Sequence, residues 1–333
     1  MVRRLQWRFA MLAVGFKHYG PPETLVPLQV SIPEPRESEL LVRVAATSVN
    51  PIDWRIRRGE LRLLTGAHPF IPGADVAGVV ERVGPGVSKF APGQRVFAMI
   101  SGLAGGGYAQ FVPVAEAHAA RVPDGVTLAE AAGVPLAGLT ALQALRDRAH
   151  LAPGARVLVN GASGGVGSLA IQIARRLGAG HVVGVCSGRN TEWVRRLGAD
   201  EVIDYTRQDV AHLEQQYECL FDAVGTLDFR RCRRLLSPRG VMVSVDPLAQ
   251  FKLASLLSRL RGTRRFRSVL VAPSGGDLAQ LAAWLEEGTL RPVNGRRYRL
   301  TEASDAHRQS ETHHVRGKLV LVVDDSLAEL AAA

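Results

Sequence analysis

Residues 161–190 read GASGGVGSLAIQIARRLGAGHVVGVCSGRN. After the apolar run RVLVN the chain passes through Ala162-Ser163-Gly164-Gly165-Val166-Gly167, the G-x-G-x-x-G spacing with alanine in first place, and enters the helical pattern GSLAIQIARRLGA. Such a turn lets backbone N–H groups meet a pyrophosphate at a helix N-terminus, and its last glycine lets helix and strand pack closely. The spacing alone is a weak signal; its place after a strand, before a helix and inside a βαβ unit makes it a strong one. About twenty residues on, where an NAD site sets an acidic residue on the ribose hydroxyl, the chain offers Ser187, Arg189 and Asn190 and no carboxylate before Glu192. A carboxylate would repel a 2′-phosphate, whereas a guanidinium and two neutral donors match its charge and oxygens. These residues predict NADPH as the cofactor in preference to NADH.

The elements that must hold these groups follow two patterns. Residues 1–10 read as an N-terminal extension, because a strand-like start recurs at Met11, a second candidate for the start of translation. From there to about residue 122, short β-runs such as LLVRVAATSV, VAGVVERVG and YAQFVPV alternate with turn residues. After Pro123 the period changes: six apolar runs, RVLVN, HVVGVC, EVIDYT, CLFDAVG, GVMVSVDP and FRSVLVAP, are spaced by helical segments that end at glycine. The expectation is an α/β protein with a β-rich domain over 11–134 and 274–333 and a doubly wound parallel sheet over 135–273. The stretch FKLASLLSRLRGTRRFR, 251–267, sets Leu253, Leu256, Leu257 and Leu260 on one helical face among arginines. It reads as a helix packed on its own domain or on a second subunit, with a membrane-surface contact or a lid over a lipophilic substrate as the alternative.

A chain of 333 residues with 47% hydrophobic content can bury two medium cores. It has no apolar run of about 18 residues and no signal-peptide pattern at its start, which points to the cytoplasm. Cys186, Cys219 and Cys232 are odd in number and form no CxxC pair, which argues against a disulfide framework and a structural zinc lobe. The formal charge of +10 comes from scattered arginines, with Lys17, Lys89, Lys252 and Lys318 the only lysines. Without clustering or a motif this charge argues against a nucleic-acid partner. A non-catalytic dinucleotide-binding or RNA-binding protein is the alternative from another class; steep salt dependence without turnover would be its signature.

Several ordered motifs together resemble one family: SVNPIDWRIRRG, PFIPGADVAGVVERVGPGVSKFAPGQRV, GGYAQFV, PLAGLTALQAL, VLVNGASGGVGSLAIQIAR, VCSGRN, LGADEVIDYT, DAVG and RGKLVLVV. From Met11 to about Val323 the chain is similar to the medium-chain dehydrogenase/reductase superfamily, in its zinc-free quinone oxidoreductase (zeta-crystallin-like) branch. The resemblance implies a GroES-like catalytic domain, a Rossmann domain and a homodimer paired through the sheet edge of the latter. Zinc members carry a cysteine near the end of the third β-run and a Gly-His-Glu ahead of the next, where this chain reads Ser48-Val49-Asn50-Pro51 and Gly73-Ala74-Asp75. The metal site therefore fails on ligand count, no zinc is expected, and alcohol oxidation loses its Lewis acid.

The resemblance also implies roles. Ser187, Arg189, Asn190 and Tyr205 would contact the 2′-phosphate, and Ser163, Gly164, Gly165 and Val166 the pyrophosphate. Thr140, Val224 and Val245 would lie by the nicotinamide, with Lys318 a candidate phosphate contact. On the substrate side, the amide of Asn50 would position the acceptor or the cofactor ribose, Asp53 would brace its loop, and Arg55 would offer positive charge to a developing oxyanion, being too basic to give up a proton. The implied activity is hydride transfer to a quinone or other conjugated carbonyl. An enoyl or alkenal reductase and a natural-product tailoring enzyme share that scaffold.

Overall fold

The computed structural model describes residues 10–66, 68–246 and 265–331. Residues 1–9 and the 251–264 portion of the leucine- and arginine-rich stretch lie outside the described residues. The chain divides into two compact units, one of residues 1–136, 272–288 and 292–333, the other of residues 137–271 and 289–291.

The first unit is built on β-runs whose branched, apolar residues favour extended backbone. Strands β1 (Ala10–Gly15) and β2 (Val26–Ser31) pair antiparallel. A seven-stranded sheet holds β3 (Glu39–Val49), β4 (Asp75–Val83), β5 (Arg95–Met99), β6 (Phe111–Ala115) and β7 (Ala119–Arg121), together with β14 (Asn294–Arg299) and β15 (Lys318–Val322) from the end of the chain. Its order is β14-β15-β3-β4-β5-β7, with β6 on β3. Strand β3 is the spine, since its eleven residues pair with β4, β6 and β15 and its side chains are nearly all buried. Leu40, Val42 and Val44 pack there against Val76, Val80 and Val96. The β15 pairing sets Leu319 opposite Val49, so the start of β15 arrives at the end of β3. That register puts Lys318 beside Asn50.

The second unit contains β8 (Arg156–Asn160), β9 (His181–Cys186), β10 (Glu201–Asp204), β11 (Tyr217–Asp222), β12 (Leu236–Ser244) and β13 (Arg265–Ser268). They form one parallel sheet of order β10-β9-β8-β11-β12-β13. In order of appearance this is 3-2-1-4-5-6, the doubly wound arrangement, and its direction of winding reverses between β8 and β11. The helix Gly165–Arg176 crosses from β8 to β9 and is buried all round from Gly167 to Ala174. The helix Thr191–Arg196 then crosses from β9 to β10.

Two glycines are required at the β8 turn. Gly161 has φ +76°, a left-handed conformation that side chains disfavour. At Gly167 an added Cβ would stand 2.1 Å from the carbonyl oxygen of Gly161, in the backbone itself. Gly167→Ala is expected to lower unfolding free energy by about 1–3 kcal/mol through this overpacking; an unchanged urea midpoint would show that the turn gives way freely.

Candidate functional site

In the parallel-sheet unit most of the expected cofactor residues collect at the carboxyl ends of β8 to β12. Ser163, Gly164, Gly165 and Val166 form the turn after β8, with Gly164 N–H donating to the Gly161 carbonyl at 2.9 Å. A helix starting at Gly165 leaves the N–H groups of its first turn without intrahelical partners, as an anion site requires. The cradle whose last glycine cannot carry a Cβ thus fits a pyrophosphate.

After β9, Ser187 and Asn190 come together, with Asn190 Nδ2 donating to Ser187 Oγ at 3.2 Å. Arg189 is exposed and has no ion-pair partner among the described residues. Tyr205, half-exposed, hangs its N–H on the carbonyl of Cys186 at 3.1 Å, which brings the end of β10 beside the same turn. Asp204 is the acidic neighbour. Its carboxylate lies under Gly188, where a Cβ would come within 2.5 Å of Oδ2. Hydrogen bonds from the Thr206 hydroxyl (2.8 Å) and N–H (3.0 Å) hold its pKa below the ordinary carboxylate value.

Val224, about half-exposed, sits on the loop after β11, and Val245 follows β12 with its N–H on the carbonyl of Asp222 at 3.1 Å. That loop is fastened by a residue the sequence did not flag. The buried Asp222 carboxylate accepts from Asn160 Nδ2 (2.9 Å) and from the N–H groups of Val224 (3.2 Å), Gly225 (3.0 Å) and Leu227 (2.9 Å). Thr140 is buried in the helix Pro135–Leu142.

In the β-rich unit the expected residues enter a continuous polar network. The helix Pro51–Arg57 starts at Asn50, whose N–H donates to Asp53 Oδ2 at 2.7 Å. Asp53 Oδ1 accepts the Gly73 N–H at 3.0 Å, so this carboxylate ties the helix start to the turn before β4. Both amide donors of Asn50 face inward, to Asp75 Oδ2 at 2.8 Å and to the Ser48 carbonyl at 3.4 Å. Asp75 is fully buried and also accepts from the Ser48 hydroxyl, from Leu136 N–H at 2.6 Å and from Lys318 Nζ at 3.3 Å. Lys318 was expected on a cofactor phosphate; in the structure its ammonium is 5% exposed and donates to Asn50 Oδ1, to the Val49 carbonyl at 3.2 Å and to Asp75. Arg55 differs from its neighbours. Its guanidinium is half-exposed and paired with Glu60, five residues away, at 3.0 Å.

A second line of groups, none of them singled out by the sequence, runs on from Asp53. The Tyr108 hydroxyl lies 3.4 Å from Asp53 Oδ2 and 3.0 Å from His307 Nε2, and Arg57 Nε donates to His307 Nδ1 at 3.3 Å. Arg57, fully buried, continues to the Gly20 carbonyl and to Glu311. A guanidinium can only donate, so Nδ1 of His307 accepts and the ring proton sits on Nε2. That proton points to Tyr108, whose own hydroxyl hydrogen is left for Asp53. The line is therefore directional, from a cation to a carboxylate. Burial pushes Asp53 up to about 7 against its two backbone hydrogen bonds, with the charge of Asp75 adding to the rise. Burial, helped by Arg57, brings His307 down to about 3, so it is neutral.

Comparison with known proteins gives these sites a family. Residues 36–124 match the alcohol dehydrogenase GroES-like domain, and residues 197–321 match a zinc-binding dehydrogenase domain. A chloroplastic quinone-oxidoreductase of Triphysaria versicolor is 35% identical over 323 residues, covering 93% of this chain and 98% of that protein. A chloroplastic NADPH-dependent alkenal/one oxidoreductase of Arabidopsis thaliana is 33% identical over 321 residues, 93% of this chain and 79% of its own. The structure of a quinone oxidoreductase from Coxiella burnetii superposes with a TM-score of 0.86 at 31% identity, covering 94% of this chain and 99% of that one.

The opposed shifts of Asp53 and His307 yield a test. Asp53 has a folded pKa above its unfolded value, so its contribution to stability is full below about pH 4 and is lost as pH rises through about 7. His307 has a folded pKa below its unfolded value, so its contribution grows as pH rises from about 3 to about 6.5. From about pH 4 to 6.5 the two nearly cancel. His307→Gln keeps a donor to Tyr108 and removes the rising part. Its unfolding free energy should therefore fall with pH across that window, by up to about 1.4 kcal/mol per pH unit, relative to the native chain. Parallel pH profiles for the two proteins would contradict the assignment.

Proposed function

The chain belongs to the medium-chain dehydrogenase/reductase superfamily and to its quinone oxidoreductase family, and from that premise we propose that it uses NADPH to reduce a quinone or another conjugated carbonyl compound without a metal ion. An oxidoreductase of this family works on small molecules with a nicotinamide cofactor. The observation that carries the choice of NADPH is the turn after β9, where Ser187 and Asn190 form one hydrogen-bonded pair beside the unpaired Arg189 guanidinium, with no carboxylate on that turn. Tyr205 adds a further polar group from the neighbouring strand end.

The parallel-sheet unit holds the cofactor: first-turn N–H groups at Gly165 and Val166 take the pyrophosphate, and the loop clamped by Asp222 fixes Val224. When bound, the nicotinamide supplies a hydride, which a conjugated acceptor takes at carbon while negative charge builds on its oxygen. The β-rich unit carries a cluster of buried polar groups of its own. Arg55 is held by Glu60 and the Asn50 amide is spent on Asp75 and Ser48, which leaves Lys318 as the cation of the cluster. Zinc does not fit here: the stretches where zinc members carry a cysteine and a Gly-His-Glu read Ser48-Val49-Asn50-Pro51 and Gly73-Ala74-Asp75, so an alanine stands in the histidine's place and the Asp75 carboxylate is already bonded to the Lys318 ammonium. Among the described residues no group of His, Cys, Asp and Glu stands close enough to hold a metal ion.

Reduction of an enone rather than a quinone is the second reading, favoured by the likeness to the alkenal/one oxidoreductase. Both use the same hydride step. Initial rates of NADPH oxidation with 1,4-benzoquinone and with 1-octen-3-one decide between them, and no turnover with either would remove both. Arg189→Ala should weaken NADPH binding by about 10-fold or more while leaving NADH binding within about twofold, as loss of a charge-assisted phosphate contact requires; equal changes would refute the 2′-phosphate assignment. We further propose a homodimer through the β13 edge, which exposes Leu270. Light scattering at the mass of a single chain would exclude it.

A further inference from the structure

We propose that Asp75 is a positioning residue of the acceptor-side site: its carboxylate holds the Lys318 ammonium and the Asn50 amide in one fixed arrangement, and this internal ion pair does the electrostatic work that the zinc members of the superfamily give to a metal. The inference rests on the reading of the chain as a quinone or enone reductase.

The ammonium is about one-twentieth exposed and the carboxylate is fully buried, so both ions have left water. Such a pair is seldom worth its desolvation for stability alone, and an apolar pair of the same volume often serves as well. Elsewhere the two strands follow the apolar rule: Val76, Ala77 and Val80 on β4, and Leu319, Val320 and Leu321 on β15, are buried and apolar. Charge enters these two strands' buried positions at their first residues, Asp75 and Lys318, and there the two side chains meet.

The geometry shows what the pair does. Three donors converge on one oxygen: the Ser48 hydroxyl and the Asn50 amide from the end of β3, and Lys318 Nζ from the start of β15, all reach Asp75 Oδ2. The other oxygen takes the Leu136 N–H at 2.6 Å. Asn50 is gripped from both sides, its oxygen by Lys318 and its nitrogen by Asp75, so its orientation is set by the pair. The carboxylate charge is shared among four donors of which one is charged. All three ammonium donors are directed at oxygens of the chain, Asn50 Oδ1, the Val49 carbonyl and Asp75 Oδ2, so the position of the cation is fixed and its charge acts through space rather than through a free N–H. A preorganised cation of this kind stabilises negative charge developing on an acceptor without reorganising during reaction.

The test is a double-mutant cycle with Asp75→Asn and Lys318→Met. Each single change should lower kcat by about 10–100-fold, in the range found for residues that orient a catalytic charge, while the dissociation constant for NADPH and KM for the acceptor stay within about twofold. The double variant, which removes both charges and so avoids an unpaired buried ion, should be no slower than Lys318→Met alone. In urea unfolding, Asp75→Asn should cost stability when Lys318 is present and much less when it is methionine. An unchanged kcat in Asp75→Asn overturns the proposal, as does a loss confined to NADPH affinity in Lys318→Met, which would return that lysine to a cofactor phosphate. Additive unfolding energies would overturn it without reference to turnover. If the native chain reduces neither quinones nor enones, the functional reading fails, and the unfolding cycle still decides whether the pair acts as a unit.

Discussion

A carboxylate taken out of water must be met by donors, and the need to satisfy Asp75 organises the β-rich unit around its site. The chain meets it by bringing the end of β3, the start of β15 and the residue at 136 to one place. The donors come from three stretches of sequence, and the Lys318 contact accompanies the register at which β15 joins β3. Asp53 repeats the pattern three residues into the helix that follows β3, joining Asn50 to Gly73. The two acids lie in one network, and the charge on Asp75 is part of why Asp53 holds its proton to about pH 7.

The parallel-sheet unit solves a different problem with the same means. Its turn must leave N–H groups open to an anion, and glycine at 161 and 167 makes this sterically feasible. The loop opposite must hold a shape without regular secondary structure, and the buried Asp222 supplies it by collecting three backbone N–H groups and the Asn160 amide. In both units, then, a buried acid gives irregular backbone a defined form. The opening pattern of glycines describes where a ligand can approach; the acids describe what keeps the approach in place.

Much of this was legible in the letters. The change from two-residue to helical period near Pro123, the glycine turn and the SGRN stretch are local, and local patterns survive in a linear reading. The doubly wound parallel sheet and the family itself followed from them. Lys318 and Arg55 were harder because their roles depend on partners far off or simply nearer. Lys318 meets Asn50 across 268 residues, a contact set by strand register, while Glu60 claims Arg55 within one turn of chain. The line from Asp53 through Tyr108 to His307 and Arg57 had no sequence signal at all: its members are single residues in unrelated motifs, 199 and 250 positions apart at its two histidine contacts. GADV had marked Asp75 only as a position where a zinc ligand is missing. That departure was the available clue, since replacing a ligand by another acid beside a serine suggests a cation of a different kind.

The central claim is that an internal ammonium, held by a buried acid, replaces a metal in this oxidoreductase. It is tested most directly by measuring NADPH oxidation, with 1,4-benzoquinone or 1-octen-3-one as acceptor, before and after exhaustive dialysis of the intact protein against EDTA. The account predicts identical rates, with no gain when zinc is added back. A rate that falls on dialysis and returns with zinc would contradict it.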